Sequence, residues 1–328
     1  MKKLTILISI MISIFACKKP DWDFKTTFNK KILDGYFIKS IAFDSHGTAW
    51  IGTYKQGLIE YNSGKITVYN SSNSSFPDTS IIWNIAIDSK DNVWIGGNAL
   101  IKYNGNTFTT FNSNNTIIPE DFIYSIAIDS KDNIWFTSCR FRQGGIVKYD
   151  GINWTVFTPA NSLLPINSVK SIAIDKDDNV WLALQENVTH TYLVKITNSD
   201  WTIYDNSDLG FSPYWYSNIQ INSKNQLCGG IDYSLSSQME NSGPQVFVFT
   251  GTNATQLKFD GYTKIYCIQV DKDDNIWCLG NSSAYAVYNG YKWFTDYTTF
   301  KNAGLFCIEQ APDNKIWMGT GDGIYINE

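Results

Sequence analysis

The sequence predicts an all-β fold, a seven-bladed β-propeller of four-stranded blades whose ring is closed by the N-terminal strand completing the last blade. Three observations predict it. A phrase of the type "IAIDSKDNVWIGG" (Ile85 to Gly97) recurs seven times at intervals of 40 to 49 residues. Each copy reads as strand, turn, strand, followed by two further short β-prone runs, and four strands in a period of this length mark a propeller blade. The seventh copy is one strand short, and a matching stretch stands near the other terminus.

The tryptophan slot sets the register of the repeats: Trp50, Trp94, Trp135, Trp181, Cys228, Trp277 and Trp317. Six residues before each stand Asp44, Asp88, Asp129, Asp175, Asn222, Asp271 and Ala311, so the fifth and seventh copies have drifted while keeping the gap of six. "SIAID" alternates as a first strand, "SKDN" carries turn chemistry, and "VWIGG" is an apolar second strand. The aspartate is expected to accept from turn amides, and Asn or Gly at the far end of the turn is expected to adopt the left-handed conformation. Third strands follow in "GLIEYN", "ALIKYN", "GIVKYDG" and "YLVKITN", and fourth strands in "ITVYN", "FTTFN", "WTVFT" and "WTIYD". The strand missing from the seventh copy is expected at "WDFKTTF" (Trp22 to Phe28), which would leave no open sheet edge.

With 328 residues, 43% of them hydrophobic and 15% aromatic, the chain can bury a large core, which excludes a disordered or fibrous protein. A net charge of −5 without a basic cluster beyond the N-terminus excludes nucleic acid as a partner. Residues 1–16 read as a signal peptide: Lys2 and Lys3 precede an apolar run, Leu4 to Phe15, too short to span a bilayer. "IFAC" (Ile14 to Cys17) then resembles the lipobox of a bacterial lipoprotein, which implies lipidation at Cys17, residues 17–21 as a tether and residues 22–328 as the propeller. The competing reading is an ordinary secretory signal or an uncleaved anchor. Either places the body of the protein outside the cytoplasm. A lipid anchor to the outer membrane is the expected membrane attachment, and "KKPDWD" after Cys17 leaves the periplasmic or surface side open.

The remaining cysteines, Cys139, Cys228, Cys267, Cys278 and Cys307, are odd in number and lack CxxC spacing, so they read as small buried residues. No cofactor or metal is expected. The "DKDDN" runs at Asp175 and Asp271 resemble the start of a calcium loop, but position six is Val180 instead of glycine, which favours a turn. His46 falls in a turn and His190 in a loop, a poor basis for histidine-dependent catalysis.

Glu309 occupies a first-strand slot that is alanine in blades one to four (Ala42, Ala86, Ala127, Ala173) and Gln220 or Gln269 in blades five and six. First strands line the central channel, so one sector should be more polar, either for water or for carboxylate catalysis. The rim offers a stronger candidate. Two residues before each first-strand isoleucine stand Lys39, Trp83, Tyr124, Lys170, Ser217, Tyr266 and Phe306, aromatic faces interleaved with cations that suit a ligand. They share strand parity with the buried isoleucines, so packing between blades competes as an explanation. Arg140 and Arg142, the two arginines of the chain, stand in one loop above the same face, where a guanidinium suits an anion. Insertions in blade five bring Tyr214, Trp215 and Tyr216 there, and Trp215 is the preferred single aromatic contact.

The repeat phrase, together with the loops "NSLLP" (Asn161 to Pro165) and "NSSFP" (Asn73 to Pro77), is similar to the two-component regulator propeller repeat family over residues 22–328. The resemblance implies a seven-bladed propeller, an origin in Bacteroidota, and the extracytoplasmic sensing half of a signalling system. Three functions compete. The first is a cell-envelope propeller that binds a glycan or a peptide without chemistry. The second is a carboxylate-dependent polysaccharide hydrolase or lyase. The third is a scaffold for a protein partner.

Overall fold

The structure is a computed structural model, which describes residues 27–77, 81–140, 143–187, 191–198, 200–211, 213, 215–231, 246–258, 264–280, 284–300 and 303–327. Arg142, His190, Tyr214, Cys17 and the whole signal and tether region lie outside these residues.

Seven four-stranded antiparallel sheets make the blades. Blade one runs Ile38–Phe43, Ala49–Thr53, Leu58–Asn62 and Lys65–Tyr69, with the first strand innermost. In blade seven the inner strands Leu305–Gln310, Ile316–Thr320 and Gly323–Asn327 are completed by Phe28–Ile32, which pairs antiparallel with Gly323–Asn327 through Ile32 opposite Ile324 and Lys31 opposite Tyr325. The ring therefore closes as expected, but with the strand at 28–32 instead of 22–28. The apolar spacing decides this: Phe28 packs edge-on to Tyr285 (5.6 Å) and Phe300 (5.1 Å), and Ile32 joins the cluster around Trp317.

The core is not central. It is seven apolar clusters, each lying in the seam between two neighbouring blades. Second strands such as Ala49–Thr53 and Ile316–Thr320 are buried at every position, which explains why they read as continuous apolar runs, while fourth strands face solvent on one side. The blades approach closely enough to demand glycine. A side chain on Gly52 would come within 2.4 Å of Ile82 in blade two, and one on Gly319 within 2.7 Å of Ile38 in blade one.

The recurring aspartate is a bracket. Asp88 Oδ1 accepts from the amides of Lys90 (3.0 Å) and Asn92 (2.9 Å), while Oδ2 accepts from Trp94 Nε1 (3.0 Å). Turn and following strand are thereby fixed as one unit. The left-handed residue is Gly47 in blade one, as expected, but at the same turn position in the other blades it is Asp91, Asp132, Asp178, Asn225, Asp274 and Asn314, one residue ahead of the slot that holds asparagine in blades two, three, four and six. Asn92 is instead held by its side-chain amide, which donates to both oxygens of Asp88. The left-handed aspartates have their own task. Asp91 accepts from the backbone amide (2.9 Å) and hydroxyl (2.6 Å) of Ser45 in the preceding blade, and Ser89 meets Asp132, Ser130 meets Asp178 and Ser223 meets Asp274 in the same way. Lys176 N–H to Asn225 (2.9 Å) and Lys272 N–H to Gln310 (2.8 Å) extend this belt to the remaining junctions except that between blades seven and one. There Pro312 has no N–H to give, and Gly47 has no side chain to receive it.

Candidate functional site

The first strands start at one face of the ring, called here the mouth, and end at the turns on the opposite face. At the mouth, the residue two before the first-strand isoleucine does not follow the alternation assumed for it. The pairing shifts register there in five blades, between Ile38 and Ser40, Val169 and Ser171, Tyr216 and Ile219, Ile265 and Cys267, and Leu305 and Cys307. A bulge leaves its extra residue unpaired and re-aims it. Lys39, Lys170, Tyr266 and Phe306 are therefore released from the inter-blade core, and the parity argument for packing does not hold at these positions. Ser217 is the exception, because its hydroxyl lies against Gly230, within the seam toward Ile265 and Ile268 of blade six.

Four rim residues form a continuous arc across blades seven, one, two and three. Lys39 Nζ lies 4.3 Å from the Phe306 ring centroid, 5.2 Å from that of Trp83 and 5.6 Å from that of Phe37. Trp83 in turn packs on Tyr124 (5.4 Å). Phe37 extends the surface to Tyr54 (5.3 Å), and Phe122 joins Trp83 to Tyr124 (6.0 and 4.5 Å). A second, smaller unit is formed by Lys170 over the Trp215 ring at 5.4 Å. The Trp215 Nε1 donor is buried without a hydrogen-bond partner. Tyr266, 45% exposed, meets Lys264 (5.2 Å) and stands apart from the arc. Arg140 is exposed, at the end of the strand Ile134–Arg140.

Phe37, Tyr54 and Phe122 were not among the sequence candidates. Phe37 and Phe122 share a register with Trp215, four residues before the first-strand isoleucine, so a scan of that slot would have found a second aromatic tier. Burial pushes the Lys39 and Lys170 ammonium groups below the usual lysine range. Neither is paired with a carboxylate among the described residues, and aromatic faces replace the lost hydration.

The channel has the polar sector read from the sequence. Gln220 Nε2 donates to Gln269 Oε1 (2.8 Å), and Gln269 Nε2 reaches Glu309 Oε1 at 3.5 Å. Glu309 borders a cavity of about 400 Å³ at the turn face with Ala42, Phe43, Ile85 and Ile87. Glu309 is half-buried, and the crowding of first strands around it pushes its pKa up to about 8. No second carboxylate stands beside it among the described residues lining that cavity.

The other candidates resolve into structural roles. His46 is an exposed turn residue whose Nδ1 lies 3.2 Å from Asp91. Both oxygens of Asp175 are occupied by Asn179 and Trp181, as a turn requires. Cys139, Cys228, Cys278 and Cys307 are buried and Cys267 nearly so, and burial pushes the Cys228 and Cys267 thiols up to about 12.

The sequence matches no family model and no curated protein. Solved structures do match. The extracellular domain of a hybrid two-component system from B. thetaiotaomicron aligns with a TM-score of 0.67 at 21% identity, covering 90% of this chain and 39% of that one. The chain shares the propeller fold of that extracellular domain. It spans about two fifths of that solved extracellular domain, and the identity is low enough that the likeness establishes fold alone. The fold is shared as well with virginiamycin B lyase from Staphylococcus aureus, solved with quinupristin (TM-score 0.69, 16% identity, 91% of this chain and 98% of that one). A third likeness is to YCF48 bound to D1 peptide (TM-score 0.65, 12% identity, 91% and 93%). Propellers of this size thus serve extracellular domains, an enzyme and a peptide-binding protein.

Proposed function

We propose that the protein is an extracytoplasmic, non-catalytic ligand-binding propeller, anchored by lipid at Cys17, that takes a glycan or a peptide on the mouth of the ring. The arc Phe306, Lys39, Trp83 and Tyr124 carries this reading. Bulges release Phe306 and Lys39 from the core, and an ammonium set among ring faces offers both stacking and charge to a sugar or a peptide side chain. Lys170 with Trp215, and the exposed Arg140, extend the same face; Tyr266 and Arg142 belong to the rim by sequence position. The likeness to the extracellular domain of a two-component system supports location and role, and the peptide complex of YCF48 supports a peptide as one ligand class.

The test is a thermal-shift screen of the full chain against glycans and peptides, with each hit incubated overnight and assayed for breakdown. A ligand that raises the melting midpoint, survives intact and loses its effect in Trp83→Ala and Lys39→Ala is the expected result. Consumption of the ligand would replace this reading with the enzyme, a reading that the shared fold with virginiamycin B lyase keeps in view. A hit unaffected by both substitutions would remove the site from the arc.

A further inference from the structure

Five blades keep the aspartate and indole bracket complete, with Trp50, Trp94, Trp135, Trp181 and Trp277 donating through Nε1 to Asp44, Asp88, Asp129, Asp175 and Asp271 at 3.1, 3.0, 3.2, 3.0 and 2.8 Å. Blade five has changed both partners together. Asn222 replaces the aspartate and still accepts from the amides of Lys224 (3.1 Å) and Gln226 (2.9 Å), while Cys228 replaces the tryptophan, so no indole is left in need of an acceptor. Blade seven has changed only one. Trp317 remains, but Ala311 stands where the carboxylate should be, and Trp317 Nε1 has no acceptor among the described residues. The turn has partly compensated, since the Lys315 amide donates to Asp313 (3.2 Å), yet that carboxylate serves the turn and the Lys315 ammonium (3.0 Å) instead of the indole.

The widowed indole lines a cavity of about 320 Å³ at the junction of blades seven and one. Tyr61 and Ser63 contribute to the lining from blade one, and Lys30, Lys315 and Asp313 from blade seven, so two ammonium groups and one carboxylate border the cavity among the described residues. This is also the one junction at which Pro312 and Gly47 remove the turn-to-turn hydrogen bond. Tyr61 packs edge-on against Trp317 at 5.6 Å and supplies an apolar side for a short hydrocarbon.

We propose that this socket binds the carboxylate of a small organic acid, which takes the place of the missing aspartate side chain, accepts from Trp317 Nε1 and lies beside Lys30 and Lys315. Five copies of the same bracket in this chain show that a carboxylate fits an indole presented from this strand. A charged acceptor makes the stronger class of hydrogen bond with an indole N–H that has no partner among the described residues. The socket lies on the turn face, remote from the mouth, and does not depend on what binds there.

The test titrates the ¹⁵N-labelled full chain with sodium butyrate against sodium chloride at equal ionic strength, reading the Trp317 indole N–H resonance, assigned by its loss in Trp317→Phe. The expected result is a saturable shift of that resonance alone among the indoles, with a rise of about 2 °C in the melting midpoint near saturation. Ala311→Asp restores the internal acceptor and should move the resonance without ligand and abolish the butyrate response. Lys30→Gln with Lys315→Gln, which leaves the bracket untouched, should weaken butyrate at least several-fold. No saturable shift at Trp317 overturns the proposal, as does a response unchanged in Ala311→Asp or, should that variant not fold, in the double lysine variant.

Discussion

A single residue can recur through this molecule for reasons of geometry alone. Asp88 and its counterparts sit where a catalytic or calcium-binding carboxylate could be read, but their oxygens are saturated by two turn amides, an asparagine amide and an indole. Glu309 is the opposite case, a carboxyl with few donors and much crowding. It keeps its proton up to about pH 8 in the native state, whereas the unfolded chain releases it in the ordinary carboxyl range. Between those values the native state binds more protons, so its contribution to stability falls as pH rises. We predict that the wild-type protein loses stability on the order of 2 kcal/mol through this window and that Glu309→Gln removes most of that slope. Urea denaturation across the window checks it, and an unchanged slope in the variant would assign the effect elsewhere.

Strands and turns show which parts of the pattern had a structural reason. The first strands read as simple alternation, but bulges near their starts break it and turn Lys39, Lys170, Tyr266 and Phe306 away from the core. Period-two reasoning cannot see this, because a bulge is fixed by pairing with the second strand and not by the residue itself. The turns, by contrast, could be read almost completely. The serine at the start of the turn in blades one, two, three and five looked like generic turn composition and proved to be the donor to the next blade. From this we predict that Pro312→Ser combined with Gly47→Asp supplies the missing bond between blades seven and one. The gain should be about 1 kcal/mol, since position 47 already holds the left-handed conformation that aspartate adopts in its sister turns. Equilibrium unfolding of the double variant tests it, and a loss of stability would show that the seam cannot close that far.

At the scale of the whole molecule, stability rests on seven seams and one closure. Phe28–Ile32 covers the outer edge of Gly323–Asn327 and places Phe28 between Tyr285 and Phe300. Removing residues 1–33 should expose that edge and open this apolar contact. We predict a lower melting midpoint together with concentration-dependent association in size-exclusion chromatography, as an uncovered strand edge recruits another. A truncated chain that stays monomeric with an unchanged midpoint would mean that the ring is held by its seams alone.

By itself the sequence determined the number of blades, their strand order, the bracket turns and the closure of the ring, because each repeat carries its local geometry in a few residues at fixed spacing. It also marked Lys39, Trp83, Tyr124 and Phe306 as rim candidates. Tertiary structure decided what local spacing could not: that these four meet in one arc with Phe37 and Phe122 while Tyr266 stands apart. It likewise decided that the indole of Trp317, left without the aspartate by Ala311, lines a cavity with Lys30, Lys315 and Asp313. The physical reason is the same in each case. Spacing along a strand fixes a residue's height in its blade, whereas its neighbours are set by the blades packed on either side.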